Sequence, residues 1–254
     1  MSHLSPLYLL ERFDVGIVQL DATRRVTAMN DLARKILPVD ETQPFDVSVI
    51  SFHPERSQPK VEFMLDQAAV CPVSNPPPMT MIINIPERVL LIKLTRLSNA
   101  QTKTTGYTLV FYDITDLVSG EQPPIDATDQ RRRLAKIPTV SGQQVVLVDA
   151  DDVVHLQSEG HYTRVITPEG NRFCNLSIGD LEARLDPSQF MRIHRSHIVN
   201  LSAIKGLARE AGRLMVKLNG NDAVPVSRTS APDLLSRLGM SPVVSGAAKR
   251  EEPH

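Results

Sequence analysis

The stretch Phe190–Asn200 reads FMRIHRSHIVN, and a shorter stretch, Val224–Arg228, reads VPVSR. The longer one carries four basic or imidazole side chains inside an otherwise apolar strand pattern: Arg192, His194, Arg195 and His197. A strand cannot bury four such groups without partners, so its polar side must face water or an anion. This pattern predicts a β-rich second half of the chain with one cationic surface.

Two further motifs precede this stretch. EGHYTRV occupies residues 159–165 and NLSIGDLEARL occupies residues 175–185. In the second motif, Ser177 and Asp180 have the spacing of a helix capping box. Together, and in this order, the motifs resemble the LytTR domain, a mostly-β DNA-binding module of bacterial regulators. The resemblance covers about Arg133 to Leu238.

The LytTR resemblance implies specific DNA contacts. Loops of the sheet in this family enter successive major grooves, and the base-contacting positions fall on His161, Arg195 and Arg228. An arginine fork suits that role because it can bond O6 and N7 of guanine. The residues expected to position the DNA backbone include Tyr162, Ser196 and His197. Any one of these side chains alone would be explained by a solvated surface, whereas the ordered set favours DNA recognition.

Composition limits the other possibilities. The 254 residues predict two domains. The chain has no secretory signal, no apolar run of the roughly 18 residues that a membrane span needs, and two cysteines, Cys71 and Cys174. We therefore expect a cytoplasmic protein without a structural disulfide or a membrane span.

Residues 1–130 contain 11 Lys and Arg against 16 Asp and Glu, and the remainder contains 17 against 13. An acidic half joined to a basic half suits a sensor tethered to a nucleic-acid module.

The chain divides at a polar, proline-bearing segment, SGEQPPIDATDQRRR, at residues 119–133. It has no apolar periodicity, so we interpret it as a linker. The predicted organisation is a sensor domain at 1–118, this linker, a DNA-binding domain at 134–240 and a disordered tail at 241–254.

The first half begins with two short strands, at residues 15–20 and 26–29, followed by a helix with Asn30 as its N-cap. It ends with a strand, YTLVFY at residues 107–112, which leads into DITDL, where Asp113 is expected to cap a short helix. VLLIKLTRL at residues 89–97 predicts another strand. This order resembles a PAS domain, an antiparallel sheet with helices over one face. The predicted fold class is therefore an α+β PAS domain followed by a mostly-β LytTR domain.

The first half also contains His53 in HPERS, Cys71, and a triple proline followed by Met79 and Met81. Imidazole, thiolate and thioether are side chains that ligate haem iron axially. Each residue also has a simpler interpretation. The methionines could fill a core, the cysteine could be an inert buried thiol, and the histidine could lie in a surface turn. Spacing alone leaves both interpretations open.

A wider resemblance favours haem. HPERS, CPVSNPPPMTMIINIPERVLLIKL, FYDITDL and the LytTR half together resemble the RcoM family, which joins a haem-binding PAS domain to a LytTR domain and responds to carbon monoxide. The resemblance implies His53 as the retained axial ligand and Cys71 as the opposite ligand of ferric iron. Met81 would replace Cys71 in the ferrous state and be displaced by carbon monoxide, with Met79 as the alternative thioether. Because the sequence has no CxxCH motif, the cofactor would be non-covalent haem b.

The sequence thus predicts a homodimeric, haem-dependent regulator that senses carbon monoxide and redox state and binds double-stranded DNA. No motif of a catalytic site is present, so we do not expect an enzyme. Two alternatives remain. The PAS half could bind another ligand or only dimerise, or it could carry out haem redox chemistry.

Overall fold

The computed structural model describes residues 15–40, 42–53, 55–70, 79–85, 88–101, 103–120, 132–142, 144–219 and 222–240. Cys71, most of the predicted linker and the predicted tail lie outside these ranges. No helix within them is both long enough and apolar enough to cross a bilayer.

The first half is a five-stranded antiparallel sheet in the order β2-β1-β5-β4-β3. Its elements are β1 (Gly16–Asp21), β2 (Val26–Met29), α1 (Asp31–Ile36), two 3-10 turns (Val49–Phe52 and Glu55–Ser57), α2 (Gln58–Val70), β3 (Met79–Ile85), β4 (Arg88–Ser98), β5 (Thr104–Asp113) and α3 (Thr115–Val118). The predicted strands of this half are confirmed. Strands β2 and β3 are the two edges of the sheet.

Asn30 joins the first helix to the first strand. Its Oδ1 accepts hydrogen bonds from the backbone N–H of Ala33 at 3.0 Å and of Ile17 at 2.9 Å. Its Nδ2 donates to the carbonyl of Val15 at 2.7 Å. The predicted N-cap is therefore confirmed, and the same buried side chain also fixes how the helix leaves the sheet.

The exit helix α3 differs from the prediction at its first residue. Ile114, not Asp113, is the N-cap, and Ile114 makes no side-chain capping bond. Asp113 still contributes, because its Oδ1 accepts from the N–H of Thr115 at 3.0 Å and from its hydroxyl at 2.6 Å. The carboxylate is one residue too early to be the cap but reaches the first turn.

Helix α2 was not among the predicted elements. It is a 13-residue helix that places Val61, Met64, Leu65 and Ala68 in the core of the first half. Their spacing of three, four and seven residues is the apolar period of a helix, so a local signal for α2 is present in the sequence.

The second half contains a seven-stranded sheet in the order β11-β12-β8-β9-β10-β6-β7 and a three-stranded sheet in the order β13-β14-β15. Its elements are β6 (Lys136–Ser141), β7 (Gln144–Asp149), β8 (His155–Glu159), β9 (Tyr162–Thr167), β10 (Gly170–Cys174), α4 (Ile178–Glu182), β11 (Phe190–His194), β12 (His197–Asn200), β13 (Ile204–Glu210), β14 (Arg213–Leu218), β15 (Ala223–Pro225) and α5 (Ala231–Arg237). The mostly-β prediction is confirmed.

The helix starts in this half were predicted with mixed success. The capping box is confirmed, since the Asp180 N–H donates to Ser177 Oγ at 3.1 Å and the Ser177 N–H donates to Asp180 Oδ2 at 3.3 Å. The sequence predicts a helix from Ser177 to Leu185, but α4 ends at Glu182. It also predicts a last helix that starts at Ser230, and α5 begins after this serine, which makes no side-chain capping bond.

The two halves share a continuous contact at the edge strand β3. The backbone N–H of Ile82 donates to Asn175 Oδ1 at 3.3 Å, and Arg184 Nη1 donates to Asn84 Oδ1 at 2.8 Å. Apolar residues of the first half also enter the core of the second: Ile82, Val89, Ile114 and Val118. The PAS half and the LytTR half, predicted as separate domains, therefore share one core cluster.

Three histidines lie close together in the second half. The ring centroid of His197 is 6.1 Å from that of His155 and 5.7 Å from that of His194. Burial lowers the pKa of His197 to about 4, and the neighbouring imidazoles contribute. Burial also lowers the pKa of His155. The described residues contain no group of three or more His, Cys, Asp or Glu side chains that could hold a metal ion, so we interpret this cluster as packing.

The lowered pKa values of His197 and His155 predict that the folded protein loses stability in acid. In the unfolded chain a histidine takes up its proton near pH 6.5, whereas folded His197 does so only near pH 4. The unfolded state therefore binds more protons between these values, and the free energy of unfolding falls as the pH falls through this window. We expect the His197→Gln variant to show a shallower decline in urea titrations from pH 7 to pH 4.5. His161→Gln, which changes an exposed imidazole, is the control; equal slopes in the wild type and His197→Gln would contradict the assignment.

Candidate functional site

A cavity of about 630 Å³ lies between the two halves. From the PAS half it is lined by Met64, Met79 and Thr80, and from the LytTR half chiefly by residues 159–162, Phe173 and Asn175. A smaller cavity of about 130 Å³ adjoins it, since Met64 and Asn175 line both. The smaller one also contacts His53 and Lys60. The two together form what we call the interdomain cavity.

His53 has the properties of a metal ligand. It follows the 3-10 turn Val49–Phe52, where its N–H donates to the Ile50 carbonyl at 3.0 Å and its own carbonyl accepts from Gln58 Nε2 at 3.0 Å. These bonds hold the backbone, while no group in the described part of the chain bonds to the ring. Burial lowers the pKa of His53 to about 4. The imidazole is therefore neutral at physiological pH, which is the form that binds metals.

The two methionines predicted as ligands lie on one face of β3, because side chains alternate along a strand. Met79 lines the interdomain cavity. Met81 is 2% exposed in the core of the first half, where it pairs in register with Ile92 on β4. The structure thus brings His53 and Met79 to adjoining cavities. Met81 lies two residues further along the same face of β3. Cys71 lies outside the described residues.

The lining of the cavity fits a haem. Most of its lining surface is apolar, and it contains an imidazole, His53, and two thioethers, Met64 and Met79, which are types of iron ligand. Lys60 adds a cationic group to the same part of the cavity as His53. His53 would hold the iron from this cavity and Met64 and Met79 would contact the macrocycle, whereas Met81 lies in the core of the PAS half and lines neither cavity.

The predicted DNA-reading residues gather at one end of the large sheet. His161 and Tyr162 lie at the turn between β8 and β9. Strand β12 runs antiparallel to β8 with His197 opposite Gln157, and the Ser158 N–H donates to the Ser196 carbonyl at 2.9 Å. The β11–β12 turn therefore lies beside the β8–β9 turn.

The segment that carries Arg228 is attached to the same region. The Ser227 N–H donates to the carbonyl of Ile193 on β11 at 2.7 Å. Arg195 and Arg228 are exposed and form no ion pair with any described residue. His197, in contrast, is only 8% exposed, and its contacts are with other histidines.

Arg192 shapes the turn that presents Arg195. Its Nη1 donates to Glu182 Oε2 at 2.6 Å, and its Nη2 donates to the Arg195 carbonyl at 2.7 Å. His194 Nδ1 lies 2.8 Å from Ser196 Oγ within the same turn. These bonds hold the turn in place and leave the Arg195 guanidinium free to meet a ligand.

Phe63 on α2 contacts the DNA-reading end of the sheet. Its ring stacks on that of His161, with centroids 4.4 Å apart and planes 16° apart. The sequence motifs predict a role for His161 but none for Phe63 or Lys60. No local motif marks these two residues, because each gains its importance from a partner on the other half of the chain.

Two family models match the chain. The model of the LytTr DNA-binding domain matches residues 143–239. The model of the PAS fold matches residues 10–119. Together they account for both halves of the molecule and for the boundary between them.

Curated relatives extend over nearly the whole chain. The "Heme-containing CO-sensing transcriptional regulator RcoM 2" of Paraburkholderia xenovorans is 40% identical over 245 residues, covering 91% of each chain. The "CO-responsive transcriptional regulator RcoM" of Rhodospirillum rubrum is 30% identical over 236 residues, covering 92% of this chain and 98% of its own.

Solved structures match each half separately. The LytTr DNA-binding domain of a putative methyl-accepting/DNA response regulator from Bacillus cereus aligns at 24% identity with a TM-score of 0.39, covering 42% of this chain and 98% of that one. A PAS domain from Colwellia psychrerythraea aligns at 11% identity with a TM-score of 0.36, covering 42% of this chain and 91% of that one.

Assignment to a family rests on the family models and the relatives. Both domains are present in the expected order, and the identity extends through both of them. The chain belongs to the RcoM family, with a PAS domain followed by a LytTR DNA-binding domain.

Proposed function

We propose that this protein is a haem-dependent transcriptional regulator that responds to carbon monoxide and redox state and binds double-stranded DNA. The observation that carries the proposal is the place of His53. Its half-buried, neutral imidazole lines a cavity whose opposite wall belongs to the LytTR half. A ligand held there would contact the sensor and the DNA-binding domain together.

The proposed ligands are His53, Met81 and Cys71, with Met79 as the alternative thioether. When bound, haem b supplies the change of redox state and the reversible binding of carbon monoxide. The protein supplies a neutral imidazole, a largely apolar cavity and thioethers on one strand. Cys71 would be the ligand opposite His53 in the ferric state and Met81 the ligand in the ferrous state.

Visible absorption spectra test this ligand set. We expect a low-spin haem whose Soret band shifts on reduction with dithionite and again on exposure to carbon monoxide. His53→Ala should lose this spectrum, because it removes the retained ligand. Met81→Leu should alter only the ferrous spectrum, and Met79→Leu is the matched control. A shift caused by Met79→Leu and not by Met81→Leu would transfer the thioether role to Met79.

Arg195 and Arg228 are proposed to contact bases together with His161, while Tyr162 and Ser196 position the DNA backbone. His197, which the sequence predicted for the same role, is buried against His155 and His194 and is not part of the proposed contact set. The exposure of both arginines and their lack of ion pairs among the described residues support this role, since a paired guanidinium would have to give up its partner first. The β11–β12 turn is already braced by Arg192, so little ordering should accompany binding.

DNA sequences selected from a random library by the full-length protein would test the assignment. We expect Arg228→Ala to weaken binding to the selected sequence by about 1–3 kcal/mol and to relax specificity at one position. Arg213→Ala, an exposed arginine on β14, is the matched control. Equal losses from both variants would indicate a general electrostatic effect and would contradict base contacts by Arg228.

We further propose that the contact between Phe63 and His161 couples the two domains. While the Phe63 ring covers one face of His161, that face of the imidazole is not available to DNA. Strand β3 carries both methionines and donates from Ile82 to Asn175 of the LytTR half. A change at Met79 or Met81 would thus act directly on the interface, in addition to any path through α3 and the linker.

Replacing Phe63 tests this coupling. An aromatic pair contributes about 0.5–1.5 kcal/mol, so Phe63→Ala should raise the DNA affinity of the protein without carbon monoxide by about two- to tenfold. The difference in affinity with and without the gas should shrink accordingly. Phe45→Ala, which changes an exposed phenylalanine, is the control. Unchanged affinity in Phe63→Ala would contradict the coupling.

We infer that the protein is a cytoplasmic homodimer without enzymatic activity. Sedimentation would measure the oligomeric state, and assays of peroxide or oxygen turnover would test for enzymatic activity. A featureless spectrum after addition of haem would favour a PAS domain that binds another ligand or only dimerises. Steady turnover without sequence-specific, salt-dependent DNA binding would favour a haem redox enzyme.

A further inference from the structure

Lys60 has an unusual environment. It lies on α2 and lines the smaller part of the interdomain cavity with His53, Ser177 and Asp180. Its Nζ is shielded from solvent and has no hydrogen-bond partner within the described residues. A cation in such a place is costly unless an anion accompanies it.

The nearby acidic groups of the described residues do not form a hydrogen bond with Lys60. Asp180 Oδ2 already accepts from the hydroxyl of Ser177 at 2.7 Å as part of the capping box. Burial raises the pKa of the Cys174 thiol to about 12, so the thiol is neutral. Burial lowers the pKa of Lys60 in spite of the attraction of Asp180. The ammonium of Lys60 therefore has a carboxylate nearby but no hydrogen-bond acceptor among the described residues.

The smaller cavity is thus lined by two groups that suit different parts of one ligand. The neutral imidazole of His53 is suited to a metal, and the ammonium of Lys60 is suited to a carboxylate. An iron porphyrin that carries acidic side chains would satisfy both groups with one molecule. A ligand without a metal would leave His53 unused, and one without an acid would leave Lys60 unpaired.

We propose that Lys60 binds a carboxylate of the haem and holds the acidic edge of the cofactor between α2 and the LytTR half. This inference rests on the proposed function. It assigns Lys60 a charge-assisted hydrogen bond and places Asn175 and Ser177, which line the same cavity, next to the cofactor. The DNA-binding half would then form part of the haem site.

The position of Lys60 on α2 has a consequence for signalling. Phe63 follows it by three residues, which is about one helical turn. The same helix would therefore contact the cofactor through Lys60 and the DNA-reading turn through the stack of Phe63 on His161. Pairing of Lys60 with the haem would set the position of the helix that covers His161.

The test compares haem with haem dimethyl ester, in which both carboxylates are blocked, bound to the full-length protein. The readout is the rate of transfer to an excess of apomyoglobin. With haem, Lys60→Met should release the cofactor about tenfold faster than the wild type, which corresponds to about 1.4 kcal/mol. With the ester, the two proteins should release it at equal rates. Lys35→Met, an exposed lysine on α1, is the matched control and should behave as the wild type.

The outcomes separate the two proposals. If Lys60→Met shows the wild-type haem spectrum and the wild-type release rate, the role of Lys60 is overturned and the haem-sensor function stands. If the wild type itself holds haem and its ester equally well, the role of Lys60 is overturned without reliance on any variant. If the wild type binds no haem at all, the proposed function fails first. A faster release from Lys60→Met that disappears with the ester supports the inference.

Discussion

The edge of strand β3 determines most of the architecture that matters for function. An edge strand exposes backbone groups that need partners, and here the LytTR half provides one through Asn175, which accepts from Ile82. Arg184 adds a bond to Asn84, and apolar residues close the contact into one core cluster. Because this edge is covered by the second domain, the cavity beside it has walls from both domains. A PAS domain standing alone would leave the same strand open to solvent.

Helix α2 gains its importance from this arrangement. Its apolar side packs on the PAS core, while Phe63 contacts the LytTR half and Lys60 lines the cavity that the two halves share. One rigid element therefore touches the proposed cofactor site and the DNA-reading turn. The effect of a bound gas on DNA affinity is limited to the difference in its affinity for the two conformations. Because α2 carries both Lys60 and Phe63, a small shift of the bound cofactor would reach His161 without a rearrangement of either core.

At the predicted DNA-reading end of the large sheet, hydrogen bonds within and between two turns hold the backbone in place. The bond between Ser158 and Ser196 joins two turns, and Arg192 fixes the backbone at Arg195. Buried histidines pack beneath the turns and remain neutral at physiological pH. The guanidinium groups of Arg195 and Arg228 project from this frame without ion pairs among the described residues. Because the turns are already ordered, less conformational entropy would be lost when they bind DNA.

The sequence by itself determined both domain types and several of their details. Asn30 and the capping box at Ser177 were predictable because capping acts within a few residues, and the strands were predictable from alternation. The apolar period of α2 is also present in its sequence. Only the tertiary structure decided that His53 and Lys60 share a cavity and that Phe63 covers His161. The physical reason is distance along the chain. The interface joins residues such as Ile82 and Asn175, which are 93 positions apart, and no local pattern specifies packing across such a separation.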